Sequence, residues 1–243
     1  TDNGSSFDNV TSGISKNTSD VTYGNNTFIA VAHTGTIVRS TDNGSSWNNA
    51  TSGTGSSLWG VGFGNNTFVV VGSSGNILKS TDNGSSWDNV TSGTSQQLNN
   101  VTFGNNTFVG VGDNGNILRS TDNGTNWDNA TSGITTDIRG VTFGNNTFVG
   151  VGSGGKIVRS MDNGSSWDNA TSPITTNIPG VTFGNNTFVA VGASGNIVRS
   201  TDNGSSFDNV TSGTSQSLRG VAFTGNWQLI ARQADITEQS FNS

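Results

Sequence analysis

The sequence predicts an all-β protein, a closed ring of antiparallel four-stranded sheets with one sheet per repeat. Thr-Asp-Asn-Gly or a near copy begins at residues 1, 41, 81, 121, 161 and 201 of the 243, so the chain is one array with a forty-residue period. Within each period, short β-prone runs alternate with Gly, Asn and Asp turns short enough for hairpins. No helical 3.6-residue period accompanies them. Four short antiparallel strands in about forty residues make one blade of a β-propeller.

Residues 101–140 give the order of elements. Val101-Thr-Phe103 is a first short strand, and Gly104-Asn105-Asn106 is a turn, because Gly and Asn tolerate positive φ. Thr107 to Val111 is the second strand. Gly112-Asp-Asn-Gly115 turns the chain into the third, Asn116 to Ser120. Thr121-Asp-Asn-Gly124 is the third turn, and Trp127 starts the fourth strand. Repeats 21–60, 61–100, 101–140, 141–180 and 181–220 are five whole blades. Residues 221–243 supply three strands and 1–20 the fourth, so a six-bladed ring closes through a blade split between the termini and loses its free edges. In that blade Trp227 to Ala231 stands in for Thr187 to Val191, and Gln239 falls near the place of Arg199.

A net charge of -6 argues against a nucleic-acid-binding protein, which needs a basic surface. Cys is 0, which excludes disulfides, thiolate chemistry and Cys-based metal sites. No apolar run approaches the roughly 18 residues of a spanning helix, so membrane insertion is not expected. Little Lys with abundant Asn, Ser, Thr and Gly favours a secreted or particle-surface protein. Asn-x-Ser/Thr recurs several times per blade, as in Asn105-Asn-Thr, and the Asn-rich template accounts for it without glycosylation.

Ser40-Thr-Asp42-Asn-Gly44-Ser-Ser46-Trp47 carries the pattern Ser-x-Asp-x-Gly-x-Ser/Thr-Trp. It recurs around Asp82, Gly84 and Trp87, around Asp122, Gly124 and Trp127, around Asp162, Gly164 and Trp167, and around Asp202, Gly204 and Phe207. The pattern resembles the Asp-box, or BNR repeat, of sialidases and sortilin-type receptors. The Asp accepts backbone N–H bonds in the turn, the Gly takes the left-handed position and the aromatic packs inward. The wider repeat, Leu58-x-Gly-Val-x-Phe63 and then Val71-Gly-x-x-Gly75-x-Ile-Leu-Lys79, is similar to the propeller family of photosystem II assembly and stability factors. That resemblance covers the array apart from its last twenty or so residues, and implies the fold more strongly than the function.

Sialidase chemistry would need a Tyr nucleophile with a Glu partner and an arginine cluster. The chain has one Tyr, Tyr23, which stands in the column of Phe63, Phe103, Phe143 and Phe183 and reads as a core aromatic. His33, the one His, has no triad partners around it. Asp-x-Asn-x-Ser lacks the dense acidic ligands of a calcium loop, so no metal and no cofactor is expected. An enzyme is therefore disfavoured. Arg39, Lys79, Arg119, Arg159 and Arg199 share one repeat position and would form a basic ring. The assembly-factor resemblance implies that such a ring binds a protein client. The competing structural reading pairs each cation with a nearby box carboxylate, or lays its stem over apolar surface.

Repeats 101–140 and 141–180 differ at only ten positions, which points to recent amplification or construction. Across the array, differences gather in the turn between strands two and three and in the connection from strand four to the next blade. In an up-and-down meander those two connections share a face, opposite the nearly constant Gly-Asn-Asn-Thr and box turns. Binding residues concentrate on loops over a rigid scaffold. The variable face is therefore the first candidate surface, with Trp59 as its anchor and His33, Asp113, Asp137, Arg139 and Arg219 around it. The function expected is a non-catalytic binding or scaffolding module with a protein or glycan partner. A structural or engineered repeat protein without ligand is the alternative.

Overall fold

The structure is a computed structural model and describes residues 9–224, 228–233 and 240–241. Five four-stranded antiparallel sheets and one three-stranded sheet follow one another along the chain. They are β1 (Thr18–Gly24), β2 (Thr27–Ala32), β3 (Ile37–Ser40) and β4 (Asn48–Ala50); then β5 (Leu58–Gly64), β6 (Thr67–Gly72), β7 (Ile77–Ser80) and β8 (Asp88–Val90). The third sheet is β9 (Leu98–Gly104), β10 (Thr107–Gly112), β11 (Ile117–Ser120) and β12 (Asp128–Ala130). The fourth is β13 (Ile138–Gly144), β14 (Thr147–Gly152), β15 (Ile157–Ser160) and β16 (Asp168–Asn169). The fifth is β17 (Gly180–Gly184), β18 (Thr187–Val191), β19 (Ile197–Ser200) and β20 (Asp208–Val210), and the sixth is β21 (Leu218–Thr224), β22 (Gln228–Gln233) and β23 (Ser240–Phe241). Every sheet is a meander in chain order.

The turns explain the meander. Asn105 and Asn106 sit at φ 48° and 58°, the twist of a two-residue hairpin that matches the flanking strands, and the other Gly-Asn-Asn-Thr turns repeat it. Between strands two and three lies a short turn such as Asp113–Gly115. Gly115 has φ 72°, and a Cβ there would overlap the Ile134 carbonyl, so only glycine fits.

The core lies between neighbouring sheets. Val69 and Val71 of the second sheet pack with Leu98, Val101, Phe108, Leu118 and Trp127 of the third. The same layer recurs with Val109, Val111, Phe148 and Trp167. Burying one such Phe contributes roughly 1.5–3 kcal/mol. Each Phe of the outlying column lies flat on a glycine of the preceding sheet: Phe63 on Gly24, Phe103 on Gly64, Phe143 on Gly104, Phe183 on Gly144 and Phe223 on Gly184. Tyr23 departs from the expected core role, with 48% exposure. Among the described residues no glycine of another sheet lies under its ring as Gly24 lies under Phe63. Its hydroxyl donates to Asn26 Oδ1 instead.

The closing sheet also departs from the expected alignment. Phe183 pairs with Phe188, but Phe223 pairs with Leu229 and Thr224 with Gln228. One extra residue in that hairpin moves the strand by one, so Trp227 to Ala231 does not take the places of Thr187 to Val191. Asn9 and Val10, where the repeat puts the fourth closing strand, carry no ladder. Residues 1–8 and Gln239 lie outside the described residues.

Candidate binding face

Strand β9 begins at Leu98, earlier than Val101, and the same holds for its equivalents. The end of the variable stretch is therefore strand, not loop, and in five of the six sheets it carries a β-bulge. Leu58 pairs with Gly72 and Gly60 with Val71, which leaves Trp59 as the extra residue. Asn99 is extra between Leu98 and Asn100, Arg139 between Ile138 and Gly140, and Arg219 between Leu218 and Gly220. Ser19 has the same place in β1. Pro179 precedes β17, where its missing N–H cannot join a ladder. A bulge bends its strand and re-aims one side chain. Here it turns the most variable residue of each repeat toward one cavity of about 570 Å3, lined by Ser19, Trp59, Asn99, Arg139, Pro179 and Arg219. The first strands of all six sheets, or the residue just before them, contribute to it.

Hydrogen bonds fix this rim. Trp59 Nε1 donates to Ser73 Oγ at 2.9 Å, Asn99 Nδ2 to Asp113 Oδ1 at 3.0 Å, and Arg139 Nε to Ser153 Oγ at 3.0 Å. In each pair a bulge residue meets the turn fourteen residues later, and where Pro179 stands in place of a bulge residue that turn position is Ala193. Gln97 links two pairs, accepting from Ser73 Oγ and donating to Asn99. Asp137 accepts from the Asn114 N–H and pairs with Arg139 at 3.3 Å. His33 stands edge-on to Trp59, with ring centroids 4.7 Å apart. Trp59, His33, Asp113, Asp137 and Arg139 are thus gathered on one face, with Arg219 on the same rim. Ser73, Gln97, Asn99 and Ser153 belong with them and escape a reading by residue type. The co-variation of positions fourteen apart was their signal.

Asp20 lies beside the bulge of β1, where other repeats carry Gly60, Asn100, Gly140, Gly180 and Gly220. Its carboxylate accepts the Val61 N–H of the next sheet and its neighbour Val21 N–H, both at 2.9 Å. The surrounding cavity walls desolvate it and push its pKa up to about 6, against the two hydrogen bonds.

The opposite face is a belt between sheets. Asn25 Nδ2 donates to Asn83 Oδ1, and Asn105 Nδ2 to Asn163 Oδ1. Asn123 Nδ2 reaches Thr67 Oγ1, and Asn203 Nδ2 reaches Thr147 Oγ1. The basic column joins this belt. Arg39 Nε donates to the Asn83 carbonyl at 2.9 Å, Arg119 Nε to that of Asn163 at 2.7 Å, and Arg159 to that of Asn203 at 3.4 Å. Lys79 Nζ reaches Thr125 Oγ1, and Arg199 is exposed. The partners are groups on the next sheet rather than the carboxylates that the sequence suggests. Arg139–Asp137 is the one ion pair among the described residues.

Within each box the Ser and Asp build the turn. Ser40 Oγ donates to Asp42 Oδ1 and accepts the Gly44 N–H, while Ser46 donates to both Asp42 oxygens through its N–H and Oγ. The bonds from Ser46 and Ser40 hold Asp42 at a pKa of about 2. Asp82, Asp122, Asp162 and Asp202 also sit at about 2, their partial desolvation outweighed by equivalent donors. Gly44, Gly84, Gly124, Gly164 and Gly204 all have φ between 76° and 83°. Trp127, Trp167 and Phe207 are buried, while Trp47 and Trp87 are half-buried. Among the described residues no three His, Cys, Asp or Glu side chains cluster to hold a metal.

The family model of the DUF6242 beta propeller domain matches residues 60–181. YCF48 from Cyanidioschyzon merolae superposes with a TM-score of 0.69 at 17% identity, over 89% of this chain and 79% of that one. YCF48 bound to D1 peptide superposes with a TM-score of 0.55 at 16% identity, over 91% of this chain and 90% of that one. At these identities the likeness is one of fold. No curated protein matches by sequence.

Proposed function

This chain belongs to the DUF6242 beta propeller domain family, and from that premise we propose that it is a six-bladed, non-catalytic propeller that binds a polypeptide partner at its axial mouth. Residues 221–243 and 1–20 form the sixth blade in this reading. The observation that carries it is the bulge column, which aims one variable side chain per sheet at a single cavity. Rim groups already tied to one another lose little freedom on binding. A propeller of similar fold that holds a D1 peptide supports a polypeptide as the partner class. The basic column serves as a set of pins between blades, since most of its members are committed to the next sheet.

Selection of a random displayed-peptide library on the full chain tests this. The reading expects a consensus peptide whose binding is lost in Trp59→Ala and Arg139→Ser and kept in Arg119→Gln. The reverse pattern would move the site to the belt face. Selection of no consensus, with binding on a glycan array instead, would reject a polypeptide partner.

A further inference from the structure

The mouth has an uneven floor. Val61, Val101 and Val141, one place into the strand beyond the bulge, are at most 6% exposed, because the neighbouring sheet covers them. Their counterpart Val21 is 54% exposed, and Val181 and Val221 are half-buried. All three line the cavity, together with Pro179. One side of the funnel therefore offers three accessible valines, with Asp20 at its edge.

The polar groups opposite are largely spent. Asn99 gives its amide to Asp113 Oδ1 and to the Ile138 carbonyl at 2.9 Å. The Trp59 N–H is given to Ser73, and Arg139 is held by Ser153 and Asp137. Sugar hydroxyls would need such donors free, whereas an apolar side chain needs only the valines and the indole. Among the cations, Arg39, Arg119 and Arg159 are tied to carbonyls of the next sheet, while Arg219 stands exposed at the rim over Val221. A cavity near 570 Å3 is within the range of about 300–1,000 Å3 that encloses compact ligands.

Resting on the polypeptide reading above, we infer that the funnel takes an extended acidic segment. One apolar side chain descends onto Val21, Val181 and Val221, and a carboxylate beside it is held by Arg219.

The test repeats the displayed-peptide selection with three full-length chains: the parent, Arg219→Glu, and Val21→Ser. The parent should enrich an aliphatic or aromatic residue within two positions of Asp or Glu. Arg219→Glu should exchange the acidic residue for Lys or Arg and keep the apolar one. Val21→Ser, at an exposed position, should keep its melting temperature and weaken the parent's consensus peptide at least tenfold. A consensus indifferent to both changes would overturn the funnel site while leaving a polypeptide-binding propeller. A consensus without the apolar–acidic pair would overturn the ligand chemistry, and no consensus at all would overturn both.

Discussion

Asp20 shows how one residue can oppose the fold at neutral pH. Its folded pKa of about 6 lies above the ordinary value of 3.8. The folded state therefore binds the proton more tightly than the unfolded state. Its contribution is fully present below about pH 4 and is lost as pH rises through 6. Asp20→Asn keeps one acceptor and removes the charge, so it should raise stability at pH 8 by about 1 kcal/mol or more and change little at pH 4. Equal effects in denaturant titrations at the two pH values would contradict this. The box carboxylates behave oppositely. Held at about 2, they favour the fold above about pH 4 and release that contribution as pH falls through 2. Gly164, at φ 79°, would place a Cβ 3.0 Å from Val109. Gly164→Ala should therefore cost about 1–3 kcal/mol by thermal unfolding, through backbone strain and crowding together.

At the scale of the element, the bulge and the belt divide the work. Arg119 reaches a carbonyl on the next sheet, so Arg119→Gln should lower stability by about 1 kcal/mol without moving the binding face. The melting temperature and the dissociation constant of a selected peptide read the two effects separately. The hairpins were legible because Gly-Asn-Asn-Thr specifies its own turn. The bulge is marked in the sequence only by apolar residues three apart, Leu58 and Val61, which breaks the two-residue alternation of a strand. Tyr23 reads as core from its own repeat, because the cover over its ring has to come from another sheet, and no residue within its own repeat reports that. The arginine partners escaped notice for a related reason, since backbone carbonyls carry no sequence signal.

For the whole molecule, the forty-residue period makes the five full four-stranded sheets legible, and the three-stranded last sheet is where the repeat logic weakens. Five successive Phe-on-glycine layers run from Gly24 to Phe223 without including Tyr23, and the closing hairpin is one residue longer than the others. If residues 1–20 complete the sixth blade, deleting 1–12 should lower the melting temperature by several degrees, because strands on both sides lose partners. An unchanged transition would argue for an open array. Near-identity on the belt face and diversity at the bulges fit one scaffold with one recognition surface. The most direct measurement compares Trp59→Ala with Arg119→Gln for both melting temperature and affinity for a selected peptide. Trp59→Ala should abolish binding with little thermal change, while Arg119→Gln should lower the melting temperature and leave affinity intact. Loss of binding only in Arg119→Gln would contradict this.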